Sequence, residues 1–312
     1  MPVNDALQFD QQLSLFDPEP KRIDQPKKVG SAKVAYQTTR DILTRASGFM
    51  DAYDYTLNPY SGCSFGCTYC YAAFFATSKE ERDNWGNWVK VKENAVQSLK
   101  KRPPGRLDGS LIYMSSVTDP YQPIERKLEI TLEILQILAY HHKPKLVIQT
   151  RSPDVVRDID LFNRITKKGG QVQVNMTVTT DDEDVRQTFE PSCPSNKRRL
   201  EAISEIVGGG VQACITMTPL IWVTNIDHFA DDLINTKVNN FIVQPFHPTR
   251  GKFVAGTRDA ARQKMAEKLN CSVESFPEKY LEYYQSVFEI LQKRLSCYGT
   301  LGVGKDGFAP PF

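Results

Sequence analysis

The sequence predicts an α/β fold: an open, partial (β/α)6 barrel of the TIM type, with a disordered N-terminal arm before it and a C-terminal helical extension after it. Three observations predict it. From residue 55 onward, short β-rich runs alternate with longer amphipathic stretches. Six such runs occur, too few to close the usual eight-stranded barrel. Glycine clusters at Gly169-Gly170 and Gly208-Gly209-Gly210 end two of the amphipathic stretches. A functional site is then expected at the C-terminal ends of the strands.

The expected strands are residues 55–58, 111–115, 145–150, 171–178, 211–216 and 240–244. Between them, Leu128, Leu132, Leu135 and Leu138 mark one helical face, and Val155, Ile159 and Phe162 mark another. A third helix is expected over 196–207. Residues 1–33 are polar, carry Pro18, Pro20 and Pro26 and lack periodicity, which predicts the disordered arm. The barrel then takes 34–256 and the extension 257–312. Within the extension, Tyr284, Phe288, Leu291 and Leu295 lie on one face of a helix expected over 280–295 and packed on the barrel.

Of the 312 residues, 40% are hydrophobic and 24% charged, with a net charge of +2, so global charge does not point to a polyanionic partner. No apolar run approaches the roughly 18 residues of a membrane span, and the start lacks a signal-peptide pattern. A cytoplasmic protein without a membrane partner is expected. The seven cysteines are an odd number, and three crowd into eight positions, which fits a reducing compartment and a metal site.

Those three are Cys63, Cys67 and Cys70, in C-x3-C-x2-C spacing on a glycine-containing loop directly after the first expected strand. Three thiolates on such a loop can take three corners of a [4Fe–4S] cubane and leave the fourth iron free for an exogenous chelator. Zinc is the competing ligand, but it prefers paired ligand sets and no second pair lies near.

This spacing, the aromatic Tyr69 and the position after strand one resemble the radical S-adenosylmethionine (SAM) superfamily. Further segments resemble its spore photoproduct lyase-like branch: Asn58-Pro59-Tyr60-Ser61-Gly62-Cys63, Lys92-Glu93-Asn94-Ala95, Thr118-Asp119-Pro120-Tyr121-Gln122-Pro123-Ile124-Glu125, Arg157-Asp158-Ile159-Asp160-Leu161 and Phe189-Glu190-Pro191 with Arg199-Leu200. The resemblance implies a [4Fe–4S] cluster on the three cysteines, SAM as the chelator, reductive SAM cleavage, and an electron donor such as flavodoxin or ferredoxin.

It also implies roles for single residues. Ser115, Ser116, Thr118 and Asp119 would face the SAM amino group and reacting carbon, unless Asp119 merely caps a turn. Thr150 and Arg151 would reach the SAM carboxylate, and Glu190 and Arg199 would bind substrate or lock their loop. Asn175, a poor strand former in mid-strand, points a polar group inward, toward the SAM ribose. One departure matters: photoproduct lyases carry a hydrogen-donating cysteine where this chain has Ser116, so either Cys193 substitutes or the reaction differs.

In the arm, Gln12-Leu13-Ser14-Leu15-Phe16 resembles the linear motif that docks bacterial replication and repair proteins on the DNA sliding clamp. Gln12, Leu13, Leu15 and Phe16 would be its anchors. Lys100-Lys101-Arg102, Lys143 and Lys145 could add DNA phosphate contacts. The expected function is a radical SAM reaction on a nucleic-acid base; a metabolite or peptide substrate, or DNA binding without turnover, are the alternatives.

Overall fold

A computed structural model describes residues 25–246 and 257–312. The Gln12 to Phe16 segment lies outside the described residues. The chain begins with three short strands, β1 (Lys28–Val29), β2 (Ala32–Gln37) and β3 (Leu43–Arg45). Next come β4 (Tyr55–Leu57), β5 (Tyr60–Ser61) and β6 (Trp88–Lys92), followed by β7 (Leu111–Met114), β8 (Lys145–Thr150), β9 (Gln171–Thr177), β10 (Gln212–Met217), β11 (Asn240–Val243) and β12 (Thr300–Val303).

The larger sheet runs β12-β11-β10-β9-β8-β7-β4-β3, parallel throughout except for the antiparallel edge pair of β3 and β4. The six expected strands are β4 and β7 to β11. Two elements differ from expectation. The extension is not only helical, because β12 adds a seventh parallel strand beside β11, with Asn240 opposite Thr300. Strand structure is also present before residue 34, since β1 and β2 pair with each other and β2 with β6. Buried Ala32 and Val34 alternate there with exposed Lys33 and Ala35, a strand pattern that the polar composition of the segment hides.

Alternation along the parallel strands separates two environments. Outward residues such as Ile112, Leu146, Ile148, Val174, Met176, Ile215 and Phe241 join helices Ile130–His141, Ile159–Lys167, Asn196–Gly208 and Ile226–Asn235 in one apolar core. Most inward residues are polar. Tyr113 donates to Gln149 at 2.8 Å, and Gln149 donates to Thr177 and Thr216 at 2.8 and 2.9 Å. Met50, Tyr53, Tyr113 and Val147 form an apolar cluster on the same side, with Phe308 and Phe312 packed against it.

The face marked by Leu128 to Leu138 is broken by Glu129, which adopts a left-handed conformation (φ 53°) between helices Glu125–Leu128 and Ile130–His141. The Glu125 carboxylate causes the restart: it accepts from the Thr131 and Leu132 amides at 3.0 and 3.2 Å and so satisfies the new helix end. Among the described residues, no helix is long and apolar enough to cross a membrane.

The C-terminal helix, Phe276–Leu295, starts a turn earlier than the pattern predicts and buries Phe276, Tyr280, Val287, Leu291 and Leu295; Tyr284 and Phe288 are only partly buried. Tyr280 fixes its position. Its hydroxyl donates to the Leu220 carbonyl at 2.6 Å and accepts from the Phe246 amide at 3.1 Å. Tyr280→Phe leaves both buried backbone groups without their partner, at a cost of about 1–3 kcal/mol. Thermal melting should fall by roughly 2–5 °C; an unchanged midpoint would mean that the hydroxyl is dispensable.

Candidate active site

The loop carrying the three cysteines is clamped before it reaches them. β5 pairs antiparallel with β6, Tyr60 opposite Val91 and Ser61 opposite Lys90. Gly62 follows with φ +76°, and a Cβ there would lie 2.6 Å from the Trp88 ring and 2.7 Å from the Trp88 carbonyl oxygen. Only glycine fits. Farther on, the backbones of Gly66 and Gly86 touch, so that a Cβ on Gly86 would meet the Gly66 Cα at 2.7 Å. Trp85 and Trp88 pack edge to face, 5.6 Å apart, in the apolar cluster that also holds Cys63 and Cys67.

Side chains after β7 complete the clamp. Thr118 donates to the Gly62 carbonyl at 2.6 Å, and Gln122 accepts from the Ser64 amide at 3.0 Å while donating to Thr118 at 3.2 Å. Cys63 and Cys67 are buried and Cys70 half-buried. Burial pushes the Cys63 thiol well up, and burial with the neighbouring Cys67 charge pushes Cys70 to about 11. Cys67 is instead drawn down by the hydrogen bond from Cys193 and by the Arg151 charge, against burial.

The opposite wall is built on Glu190. Its fully buried carboxylate accepts from Tyr69, from Thr179 at 2.7 Å and from Arg199 at 2.5 Å, and it pairs with Arg151 at 3.0 Å. Arg151 also donates to the Tyr69 hydroxyl at 2.8 Å. Burial alone would raise the Glu190 carboxyl, but Arg199, Arg151, Tyr69 and Thr179 together hold it at about 2. The Phe189 carbonyl accepts from the Thr68 amide at 2.8 Å, which ties this segment to the cysteine loop.

The structure therefore gathers most of the expected residues but uses several differently. Asp119 is spent on structure, accepting from Tyr121 N and Thr150 Oγ1 at 2.9 and 2.8 Å and from Arg151 N at 2.9 Å. Thr150 accepts in turn from Ser152 N at 3.0 Å. Thr118 holds the cysteine loop, and the Ser116 carbonyl accepts from Tyr71. Asn175 points inward as expected, but its oxygen accepts from Gln173 at 2.8 Å. Cys193 lies against Cys67, 3.5 Å from sulfur to sulfur. Ser115 differs from all of these: its buried hydroxyl has no partner, and its backbone is left-handed (φ 72°) at the end of β7. A buried, unsatisfied hydroxyl held in a strained conformation is what a ligand-facing group looks like.

Sequence reasoning missed a second buried polar cluster beneath the loop. Tyr60 donates to Glu125, Arg157 donates to Glu125 at 3.1 Å and to Asp158 at 2.9 Å, and Tyr121 donates to Asp158 at 2.8 Å. All five residues sit in the segments that carry the family resemblance, which was the available signal.

The radical SAM superfamily profile matches residues 57–233, more than half of the chain. The protein belongs to the radical SAM superfamily, whose members use a [4Fe–4S] cluster and S-adenosylmethionine. An uncharacterized protein of Methanocaldococcus jannaschii is 35% identical over 167 residues, which cover 54% of this chain and 60% of that protein. An uncharacterized Mycobacterium tuberculosis protein is 29% identical over 177 residues, 54% of this chain and 49% of that one. The chain thus spans about half to three fifths of these relatives' lengths. Among solved structures, spore photoproduct lyase complexed with dinucleoside spore photoproduct superposes with a TM-score of 0.53 at 12% identity, over 96% of this chain and 93% of that one. A mutant of that lyase with bound AdoMet and the same dinucleoside also gives 0.53 at 12% identity, over 87% and 81%. At such identities the likeness is one of fold.

The residues fit the family's cofactors. Three cysteines share one rigid loop, and Ser115 keeps a free hydroxyl at the strand ends. Among the described residues, no three histidine, cysteine, aspartate or glutamate side chains gather as they would around a single ion; ligands to separate corners of a cubane stand farther apart.

Glu190 yields a prediction with a defined pH window. Its folded value of about 2 lies below the ordinary 4.5, so its stabilisation is complete above 4.5 and is lost as pH falls toward 2. Glu190→Gln leaves Arg199 buried without its counter-charge, at a cost of about 3–5 kcal/mol. At pH 7 the cluster-free variant should melt roughly 5–8 °C below cluster-free wild type, and the gap should narrow on acidification below 4.5. A gap that stays constant to pH 2.5 would show that the carboxylate charge is not what stabilises this wall.

Proposed function

We propose that this protein is a radical SAM enzyme acting on a nucleic-acid base in DNA repair or modification. The observation that carries the enzymatic part is the clamped loop presenting Cys63, Cys67 and Cys70, with the unpartnered Ser115 hydroxyl beyond the end of β7. When bound, the cluster supplies the electron that cleaves SAM to a 5′-deoxyadenosyl radical. The three cysteines hold it, and Ser115 offers its hydroxyl to the polar end of SAM. Arg151, already paired with Glu190, positions Tyr69 and the Glu190 segment over the loop rather than binding the SAM carboxylate.

The nucleic-acid part is supported by the likeness in fold to a lyase whose structures hold a dinucleoside photoproduct, and by the clamp-like segment Gln12, Leu13, Leu15 and Phe16. Ser116 in place of the lyases' cysteine points the chemistry away from spore photoproduct itself. Anaerobic reconstitution with iron, sulfide, reductant and SAM should give a full cluster and 5′-deoxyadenosine, and Cys67→Ala should give neither. A variant that keeps a full cluster and cleaves SAM would refute the ligand assignment. Altered nucleosides should appear by mass spectrometry when ultraviolet-irradiated DNA is added.

The clamp reading has its own test. A peptide of residues 8–20 should bind a sliding clamp from the same organism with a Kd on the order of micromolar, because ordering a free peptide consumes part of the gain from burying its apolar anchors. Leu15→Ala/Phe16→Ala in the full chain should abolish clamp binding and leave SAM cleavage unchanged. No polarisation change with the wild-type peptide would remove this support for a DNA substrate and favour a metabolite or peptide.

A further inference from the structure

A fourth cysteine is built into the wall of the cluster loop. The Cys193 sulfur lies 3.5 Å from that of Cys67 and 4.0 Å from the Phe65 carbonyl oxygen, and both cysteines are buried. Its backbone is fixed on both sides. The Cys193 amide donates to the Glu190 carbonyl at 3.0 Å, and its own carbonyl accepts from Arg186 at 2.9 Å. Arg186 also donates to the Glu190 carbonyl at 3.1 Å and is held by Glu183 at 2.6 Å. The sulfur is therefore placed by a locked turn.

We infer that Cys193 donates an S–H hydrogen bond to the Cys67 thiolate and thereby raises the reduction potential of the cluster. The inference rests on the proposal that Cys67 is a ligand. A coordinated thiol is deprotonated and becomes a hydrogen-bond acceptor. A ligated Cys67 carries no proton, so the hydrogen of the 3.5 Å sulfur–sulfur contact sits on Cys193. An electron added to the cluster spreads onto its sulfurs, so a donor at one of them stabilises the reduced form more than the oxidised one. Cys193 is thus a positioning residue for the electron, acting through Cys67.

The test uses full-length protein reconstituted anaerobically: wild type, Cys193→Ala, Cys193→Ser and Cys67→Ala. Iron and sulfide content is measured first, then the midpoint potential by a redox titration followed by electron paramagnetic resonance. Cys193→Ala should keep its cluster and shift the midpoint to more negative potential. At the wild-type midpoint, the ratio of reduced to oxidised cluster should fall about ten-fold, the scale of one hydrogen bond to a charged group. Cys193→Ser, which keeps a donor at the same place, should recover most of the shift. An unchanged or more positive midpoint in Cys193→Ala overturns the inference while leaving the function intact. Loss of the cluster from Cys193→Ala also overturns it, because Cys193 would then be a ligand or a structural support. A full cluster in Cys67→Ala would instead bring down the ligand assignment on which the inference stands.

Discussion

One negative charge buried beside two arginines holds the mouth of this barrel in shape. The Glu190 carboxylate is reached by Tyr69 from the cysteine loop, by Arg151 from the end of β8, by Thr179 from beyond β9 and by Arg199 from the helix Asn196–Gly208. Burying an isolated carboxylate costs several kcal/mol, so the arrangement is stable only when all its partners are present together. Each segment depends on the others for its position. The wall beside the cysteine loop is therefore formed as a unit or not at all.

A second acid does the same beneath the loop. Glu125 accepts from Tyr60, Arg157 and two helix-end amides, and so joins the start of the cysteine loop to the elements after β7 and β8. Together with Asp119, Thr118 and Gln122, most polar residues of the recognisable sequence segments are spent on scaffold. Those segments mark how the loop is held. They say little about what the enzyme acts on.

The six central strands were legible because parallel strands covered by helices read as dense β-branched and apolar runs, and their ends fall within one residue of the pattern. β12 was hidden: Thr300 to Val303 is short, contains Gly302 and gains its identity only from pairing with β11. β1 and β2 were masked by their lysines and by nearby prolines. In the site, the three cysteines stood out by spacing alone. The use of Asp119 was not legible, because a carboxylate at a strand end looks the same in sequence whether it meets a substrate ammonium or the Arg151 amide. Ser115 could be told from Thr118 and Thr150 only once those two hydroxyls were seen to be occupied.

The contact between the tryptophan pair and the cysteine loop has a practical side. All three tryptophans of the chain lie in or against the apolar cluster that holds Cys63 and Cys67: Trp85 is buried in it, Trp88 and Trp222 pack against it, and Trp222 also stacks on Tyr283 of the helix Phe276–Leu295. Iron–sulfur clusters absorb broadly across the region where indole emits, so a cluster held on this loop would absorb light emitted by these tryptophans. Its assembly and loss would then be written into the intrinsic fluorescence of the protein, with no label attached.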